Sequence, residues 1–358
     1  MATRPVGRVL MTIFITGGCG FIGSALIRWL LANTTVQIIN LDALTYAAQP
    51  QSLDALKAER YTFVHGDIAD QGLLDNLLRV HQPQAVVHLA AETHVDRSIS
   101  GPSSFVQSNV VGTFTLLEAV RTWWATLEAA KQQQFRFLQV STDEVYGDLG
   151  VSGAAACEQT RWRTSSPYSA SKAAADHLAD AWHRTYGLPV LVTHSSNNYG
   201  PWQYPEKLIP LLIRNALAGN SIPLYGSGEQ VRDWMHVDDH ARALWHLLRY
   251  GQPGEHYNIG ADSPLTNREM ISRVCVLLDQ LSPKTAPLEG HASLVQQVAD
   301  RLGHDWRYAV NVEKLHALGW QAETSLEQGL RETVAFYISL FQEEQNHSAA
   351  RETLIHDA

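Results

Sequence analysis

Apolar and polar positions along this chain alternate between short β-rich runs and longer stretches with helical spacing. Thr12-Ile13-Phe14-Ile15-Thr16 predicts a strand, and Ser24–Ala32 predicts the helix after it. Val36–Leu41 predicts a second strand, Tyr61–Asp67 a third that ends in an acid, and Leu73–Val80 the helix that follows. Ala85-Val86-Val87-His88-Leu89-Ala90-Ala91 is nearly all apolar, as a parallel strand covered on both faces should be. Phe105–Trp123 carries apolar residues at helical spacing and predicts one long helix. Phe137–Val140 predicts a fifth strand, Ser169–Tyr186 an Ala-rich helix and Leu188–Thr193 a further strand. Strand and helix in alternation imply an α/β fold, a parallel, doubly wound Rossmann sheet with right-handed crossovers.

The pattern changes near residue 199. Pro, Gly and aromatic residues are dense up to about 235 and the apolar runs shorten. Leu208–Ala218, Val237–Tyr250, Asn267–Leu281 and Ser325–Phe341 predict helices. Ile222–Gly226 and Arg232–Val237 read as short strands or loops, and Asn258-Ile259-Gly260 could return a strand to the main sheet. The expected organisation is a Rossmann domain over 11–199, with a sheet contribution from about 237–260. A smaller C-terminal substrate-binding α/β domain over 200–341 and a frayed polar tail over 342–358 complete it.

Composition narrows the class. The 358 residues are 45% hydrophobic and 18% charged, which is ordinary for a globular enzyme. A formal net charge of -9 argues against a nucleic-acid partner, which needs a basic face. Cys19, Cys157 and Cys275 are too scattered for a disulfide framework or a zinc site, so a reducing, cytoplasmic setting and no metal are expected. No stretch approaches the roughly 18 apolar residues of a membrane span. Residues 1–10, with Arg4 and Arg8, lack the apolar core of a signal peptide and read as a dispensable extension.

Candidate chemistry begins at the first turn. Gly17, Gly20 and Gly23 fall between a predicted strand and a predicted helix, the setting a dinucleotide fingerprint needs. The first glycine allows a tight turn, the second lets backbone approach a pyrophosphate, and the third lets helix and strand pack closely. The helix N-terminus then offers unpaired N–H groups to phosphate. A plain strand-turn-helix is the alternative, and Asp42 weighs against it. An acid at the end of the second strand can bind both ribose hydroxyls and repels a 2′-phosphate, which favours NAD over NADP. Asp67 and Ile68 could flank an adenine, although Gly66-Asp67 is also a fair turn former. Ala90 and Ala91 are small enough to let a cofactor lie across the strand ends.

The stretch from Phe137 to Lys172 is the centre of the chain. Its strand ends in Ser141-Thr142-Asp143-Glu144, and Tyr168-Ser169-Ala170-Ser171-Lys172 opens the next helix. Adjacent carboxyls in unequal surroundings can serve as acid and base in one reaction. A solvated Asp-Glu turn is the ordinary alternative. Tyr168 and Lys172 are four apart and share a helix face, so the cation is expected to lower the phenol's pKa. Such a phenol can take a proton from a hydroxyl while hydride leaves the same carbon. An isolated Tyr-x-x-x-Lys is common by chance, but one beside an NAD fingerprint and a Ser/Thr strand end is not.

These motifs resemble the extended short-chain dehydrogenase/reductase (NAD-dependent epimerase/dehydratase) family, and within it the 4,6-dehydratases that act on dTDP-glucose. The resemblance is carried by Gly17–Gly23, Leu41–Tyr46, His88–Ser100, Ser141–Gly147, Ser166–Gly187, Ser196–Pro210, Arg232–Ala243 and Asp300–Tyr308. Thr142-Asp143-Glu144 and Ser196–Pro201 followed by Pro205–Pro210 are its most specific parts, and simple epimerases lack the Asp-Glu pair. It implies that Tyr168 with Lys172 takes the 4-hydroxyl proton as NAD accepts hydride from carbon 4, with Thr142 on the same hydroxyl. Glu144 would remove the carbon 5 proton and Asp143 would protonate the departing 6-hydroxyl. It further implies cofactor contacts from Phe21, Ile22, Leu44, Thr45, Leu89 and Asn198. Substrate contacts would come from Thr93, Asn197, Lys207, Leu208, Pro223, Tyr225, Arg232, Asn267, Arg301 and His304. A homodimer paired through Phe105–Trp123 and Ser169–Tyr186 is implied as well.

The chain also departs from that pattern. Its 148–166 loop is short, Leu302 stands where Pro is usual, Trp306 where Arg is common, and Ala48-Gln49-Pro50 replaces a Gly-Asn. His194-Ser195 precedes Ser196 where Cys is frequent at 195. Other readings are a dehydratase for another sugar nucleotide, a sugar-nucleotide 4-epimerase or decarboxylase, and a catalytically silent NAD-binding protein. The last predicts missing catalytic side chains, and none is missing.

Overall fold

Twelve strands are seen in the computed structural model, which describes residues 11–56 and 59–356, with 347–356 as backbone only. The extension expected at residues 1–10 lies outside the described residues. In chain order the strands are β1 (Thr12–Thr16), β2 (Gln37–Asp42), β3 (Tyr61–His65), β4 (Ala85–His88), β5 (Arg136–Thr142) and β6 (Val190–Ser195). They continue as β7 (Asn197–Tyr199), β8 (Ile222–Tyr225), β9 (Val231–His236), β10 (His256–Ile259), β11 (Pro264–Thr266) and β12 (Val295–Val298). Seven form one sheet in the order β10-β6-β5-β4-β1-β2-β3. β1 pairs in parallel with β2 and β4, β2 with β3, and β4 with β5. The sheet therefore reverses its winding between β1 and β4, where open α/β sheets bind ligands beyond the strand carboxyl ends.

Two compact units divide the chain. One contains the residues up to Val145 with Ser166–His194 and Ala241–Tyr257; the other contains Tyr146–Ser165, Ser195–His240 and the chain from Asn258 on. In the first, Phe14, Val86, Phe137 and Val190 of the sheet pack with Leu116, Leu117, Val120 and Ala179 of the covering helices. Burying such a side chain stabilises by roughly 1.5–3 kcal/mol, which is why these apolar runs read so clearly as strands. The second unit has its own core of Ile209, Leu212, Ile213, Trp234, Val274, Leu278, Val334 and Ile338. There β7 and β11 flank β9, and β12 pairs in parallel with β8.

Several expectations need correction. β4 ends at His88 rather than Ala91, and the Leu89 N–H makes the last bond to β1, at Thr16 O. The single helix expected over Phe105–Trp123 is interrupted by a π-helical stretch, Val106–Gly112, before α-helix resumes over Thr113–Trp124. The last helix runs over Leu326–His356, well beyond Phe341, because residues 342–356 contain neither Pro nor Gly and so nothing to stop it. Short elements at Val95–Ser100, Ala129–Gln134, Glu313–Ala317, β11 and β12 escape the sequence pattern, being too brief to show a period.

Candidate active site

The glycine turn is held by what surrounds it. Gly17 sits at φ +73°, and a Cβ there would lie 2.6 Å from Ala90 N; a Cβ on Gly23 would lie 2.3 Å from Gly17 O. Neither position admits a side chain without moving backbone. Gly20, by contrast, is crowded only by Gly17 O at 3.3 Å. It caps the helix Phe21–Asn33 with no side-chain hydrogen bond, and the first turn has no acid. The N–H groups of Phe21 and Ile22 thus open the helix with its positive end uncompensated, as a pyrophosphate requires.

Asp42 ends β2, is 8% exposed, and accepts hydrogen bonds from Cys19 N and Leu44 N, each at 2.8 Å. Burial pushes its carboxyl up, against those two bonds and the neighbouring His65. A carboxylate has about four acceptor positions, so two remain for a diol. Leu44 adopts φ +50° and, with Thr45, is exposed. These features fit a dinucleotide without a 2′-phosphate. Asn40 was not foreseen: its Oδ1 accepts from Gly18 N at 3.0 Å and its Nδ2 donates to Tyr61 OH at 2.9 Å, which ties the turn to β2 and β3. The amide is a single polar residue on an otherwise apolar strand, and it acts only through partners on β3 and the turn.

Asp67 is exposed and accepts from Ala69 N at 2.8 Å, the local turn bond of its type. Ile68 is 5% exposed and belongs to the core, where a Cβ on Gly112 would meet its Cδ1 at 2.7 Å. Leu89, Ala90, Ala91 and Thr93 follow β4; Ala90 and Ala91 are half-buried and Thr93 exposed.

Thr142 closes β5, and Asp143–Tyr146 continues it as one turn of 3₁₀-helix. Thr142 Oγ1 is 3.4 Å from Asp143 Oδ1 and accepts from Glu144 N at 3.3 Å. Asp143 is buried and Glu144 half-buried, so the adjacent carboxyls do sit in unequal surroundings. The helix Pro167–Tyr186 starts at Ser166, whose side chain forms a reciprocal capping box with Ser169, and stops at Gly187 in the left-handed conformation. That start fixes Tyr168 in the first turn and Lys172 one turn later.

Tyr168 is buried. Its phenol is raised above the usual tyrosine range, chiefly by burial and then by the Glu144 carboxylate, with the nearby Thr142 hydroxyl opposing. This corrects the expectation that Lys172 lowers it in the protein alone. Lys172 sends Nζ to Val140 O at 2.8 Å, and burial pushes the ammonium itself down. Two further residues hold this region. Asn109, in the π-helical stretch, bonds Glu92 N (2.8 Å), Glu92 O (3.0 Å) and Ser171 Oγ (2.9 Å). His88 links Thr16 Oγ1 (2.7 Å) to Thr113 Oγ1 (2.9 Å).

The second unit gathers a different set. Arg232 on β9 is 4% exposed; its Nη1 donates to Val231 O at 2.8 Å and Trp306 O at 3.3 Å, its Nη2 to Asp305 O at 2.9 Å, and it lies 4.2 Å over the Tyr308 ring. Arg301 is half-buried beside His304, whose Nδ1 pairs with Asp300 Oδ1 at 2.5 Å. His304 is pushed down by burial and by Arg301, and it also feels Arg232. Tyr225 ends β8 beside Pro223, and a Cβ on the next residue, Gly226, would meet Asp300 Oδ2 at 2.5 Å. Asn267 joins through its N–H to Gln230 O, and Gln230 Nε2 donates to Asp300 Oδ2 at 3.1 Å. Asn197 opens β7 opposite Trp234, two residues from Arg232. Asn198 Oδ1 is 3.0 Å from His240 Nδ1. Lys207 caps the helix Leu208–Leu217, and Leu208 packs on the second core. Loop 148–166 is tied down here: Asp148 Oδ1 accepts from Trp306 N and Arg307 N, both at 3.1 Å, and Asn258 Nδ2 donates to Ala156 O at 2.9 Å. Among the described residues no group of acids, His and Cys could hold a metal, and no helix is long and apolar enough to cross a membrane.

The model of the GDP-mannose 4,6 dehydratase family matches residues 14–333. The chain is 52% identical to the dTDP-glucose 4,6-dehydratase of Haemophilus influenzae over 332 residues, covering 92% of this chain and 98% of that one. It is similar to the crystal structure of a dTDP-glucose 4,6-dehydratase from Streptomyces venezuelae solved with NAD and dTDP bound, at a TM-score of 0.83 and 44% identity, covering 92% and 97% of the two chains. A UDP-glucose 4-epimerase from Thermotoga maritima, solved with UDP-glucose, is similar at a TM-score of 0.80 and 27% identity, with 92% and 100% covered.

Proposed function

Because the chain belongs to the GDP-mannose 4,6 dehydratase family, within the extended short-chain dehydrogenases/reductases, we infer that it is an NAD-dependent dTDP-glucose 4,6-dehydratase. The observation that carries this is the strand end Thr142-Asp143-Glu144, with one carboxyl buried and the next half-buried, near the buried Tyr168 phenol. It offers one group for each proton that a dehydration through a 4-ketone must move. Plain oxidation or 4-epimerisation uses only the hydroxyl pair and leaves both carboxyls idle.

Bound NAD supplies the hydride acceptor for carbon 4, the hydride donor for carbon 6 and a positive ring that offsets the charges raising the phenol. Gly17, Gly20, Phe21, Ile22 and Gly23 would hold its pyrophosphate and Asp42 its adenosine ribose. Leu44, Thr45, Asp67, Ile68, Leu89, Ala90, Ala91 and Asn198 would line it. Tyr168 takes the proton of the 4-hydroxyl, with Thr142 orienting the same oxygen and Lys172 supplying charge. The ketone then acidifies carbon 5, and Glu144, the less buried carboxyl, removes that proton. Asp143, the carboxyl further from water, gives its proton to the departing 6-hydroxyl. Glu144 returns its proton to carbon 5. A turnover therefore ends with Tyr168 one proton richer and Asp143 one poorer, and a proton must pass between them, directly or through solvent, before the next.

For the substrate, Thr93 and Asn197 would contact the sugar and its phosphates, with Lys207 and Leu208 beside them. Arg232 and Arg301 would face the diphosphate, aided by Asn267 and His304, and Pro223 and Tyr225 would flank the base. A guanidinium fork suits phosphate oxygens. Val106, Phe114 and Tyr186 are exposed apolar residues on the stretch 105–124 and the helix Pro167–Tyr186, which supports a homodimer through them. Sedimentation as a monomer at micromolar concentration would count against it. The free cysteines support a cytoplasmic setting.

The deciding experiment uses Glu144→Gln. The variant should lose solvent deuterium entry at carbon 5 while NAD is still reduced by dTDP-glucose. Undiminished exchange would sink the role of Glu144. Assaying dTDP-, UDP- and GDP-sugars side by side tests the substrate, and a C4 epimer in place of a 4-keto product would favour an epimerase.

A further inference from the structure

The helix Pro167–Tyr186 buries a carboxyl that the reaction as described leaves unused. Asp176 lies one turn beyond Lys172 and is 0% exposed. Taking a carboxylate wholly out of water is unfavourable by several kcal/mol unless donors and a counter-charge replace the water. Asp176 has both. Ser141 Oγ donates to its Oδ2 at 2.5 Å, and Gln139 Nε2 donates to its Oδ1 at 3.4 Å, both from β5. From β6, His194 Nε2 approaches Oδ2 at 3.5 Å, the outer limit of a hydrogen bond. Burial alone would raise this carboxyl; the neighbouring His194 ring, Lys172 and Ser141 outweigh it and hold it below its ordinary value.

Lys172 has the complementary problem. It too is buried, with Nζ on Val140 O at 2.8 Å, and a carbonyl satisfies one of an ammonium's three donors without neutralising its charge. Burial favours the neutral amine, and the Asp176 charge acts to keep it an ammonium. Spacing four apart sets both side chains on one helix face, and both reach neighbouring residues of β5, Lys172 at Val140 O and Asp176 at Ser141 and Gln139.

We propose that Asp176 is the positioning residue of the Tyr168–Lys172 pair: its buried carboxylate keeps Lys172 an ammonium seated on the Val140 carbonyl, while Ser141, Gln139 and His194 keep Asp176 a carboxylate. This rests on the reading that Lys172 assists Tyr168. Other groups face the same place. Tyr168 is raised slightly by Asp176, and His88 of β4 feels Lys172 and Asp176 with opposite signs. His256 of β10 stacks on His194 at 5.3 Å between ring centres and pairs with Asp180 Oδ1 at 2.7 Å. His194 is pushed down by burial and is neutral in the alkaline range, so the loss expected on that side belongs to Lys172.

The test is made on the full-length, NAD-loaded protein with ¹⁵N-labelled lysine, following Lys172 Nζ by NMR and assigning it by its absence in Lys172→Met. In Asp176→Asn, Lys172 should lose its proton at a pH lower by about 1–3 units, the size expected when an opposite charge is removed nearby. The alkaline limb of the kcat profile should move with it, and Asp176→Glu should restore most of both. Ser141→Ala keeps the charge but frees the carboxylate on one side, so its shift should be smaller and of the same sign. It decides the matter should Asp176→Asn not fold. A Lys172 titration unmoved in both variants, with only the melting temperature lowered, overturns the proposal and makes Asp176 a packing residue. Failure to form a 4-keto product would overturn the dehydratase reading alone, because the lysine titration is read without turnover.

Discussion

Two clusters of charged and polar side chains in this protein are held by opposite means. The first, Thr142, Tyr168 and Lys172 with Asp176 behind them, stands on a strand end and one capped helix, and all four are buried. Its partners are few, and Tyr168, Lys172 and Asp176 each have a neighbour that acts on their charge. The second, Arg232, Arg301, His304 and Asp300, stands on a short strand and an irregular stretch, and its centre is a guanidinium satisfied by backbone carbonyls. In the first, burial sets the protonation state, which suits groups that must gain and lose protons. In the second, the charges are permanent or partly screened by water, which suits groups that only have to hold a phosphate.

The contrast can be broken at several points. Tyr168→Phe removes the proton acceptor with little change in volume, so turnover should fall by about 10²–10⁴-fold while folding is kept. Turnover within tenfold of the parent would show that the buried phenol is not the acceptor. Arg232→Lys should act on the other cluster. A lysine cannot serve three carbonyls from a planar fork, so stability should drop by about 2–3 kcal/mol in urea titrations and KM for the sugar nucleotide should rise. Turnover at saturating substrate should hold, and a lower kcat at unchanged KM would reverse the assignment.

The smallest effect is on pH dependence, and it tests both units alike. His88 in the first is pushed down to about 3 by burial and then by Lys172, and His240 in the second to about 3 by burial. Both are therefore neutral when folded, while an unfolded histidine titrates near about 6.5. Between those values the unfolded chain binds protons that the folded one does not, so stability is complete above about 6.5 and is lost as pH falls toward 3. Each should account for at most about 2 kcal/mol between pH 6.5 and pH 5. Urea midpoints measured at pH 7 and pH 5 should fall less in His88→Gln and in His240→Asn than in the parent. Equal pH slopes in all three would mean that the histidines accept protons in place.

Sequence reasoning reached the first cluster better than the second for a physical reason. β1, β2 and β5 are continuous apolar runs ending in functional residues, so Gly17–Gly23, Asp42, Thr142 and Tyr168 announce themselves by position. Asp176, Asn40 and Asn109 do not, because each matters through partners between 17 and 62 residues away in sequence, and a single polar residue on an apolar face carries no period. The sign of the Tyr168 shift is hidden from sequence for the same reason: local spacing shows Lys172 but not the depth of burial or the charge of Glu144. In the second unit β11 has only three residues and β12 four, too short for alternation to register. The clamp of Arg232 on Trp306 O spans 74 residues.

The π-helical turn Val106–Gly112 works as a phase shifter. An α-helix advances about 100° per residue, and a wider turn holds one residue more before the count resumes. That surplus aims Asn109 at Glu92 and Ser171 while the apolar residues from Thr113 on, among them Leu116, Leu117 and Val120, still face the sheet. Deleting Val110, Val111 or Gly112 would leave composition and hydropathy almost untouched. It would nonetheless rotate one of these two faces by about 100° against the other, so the helix could keep its core or its asparagine but not both.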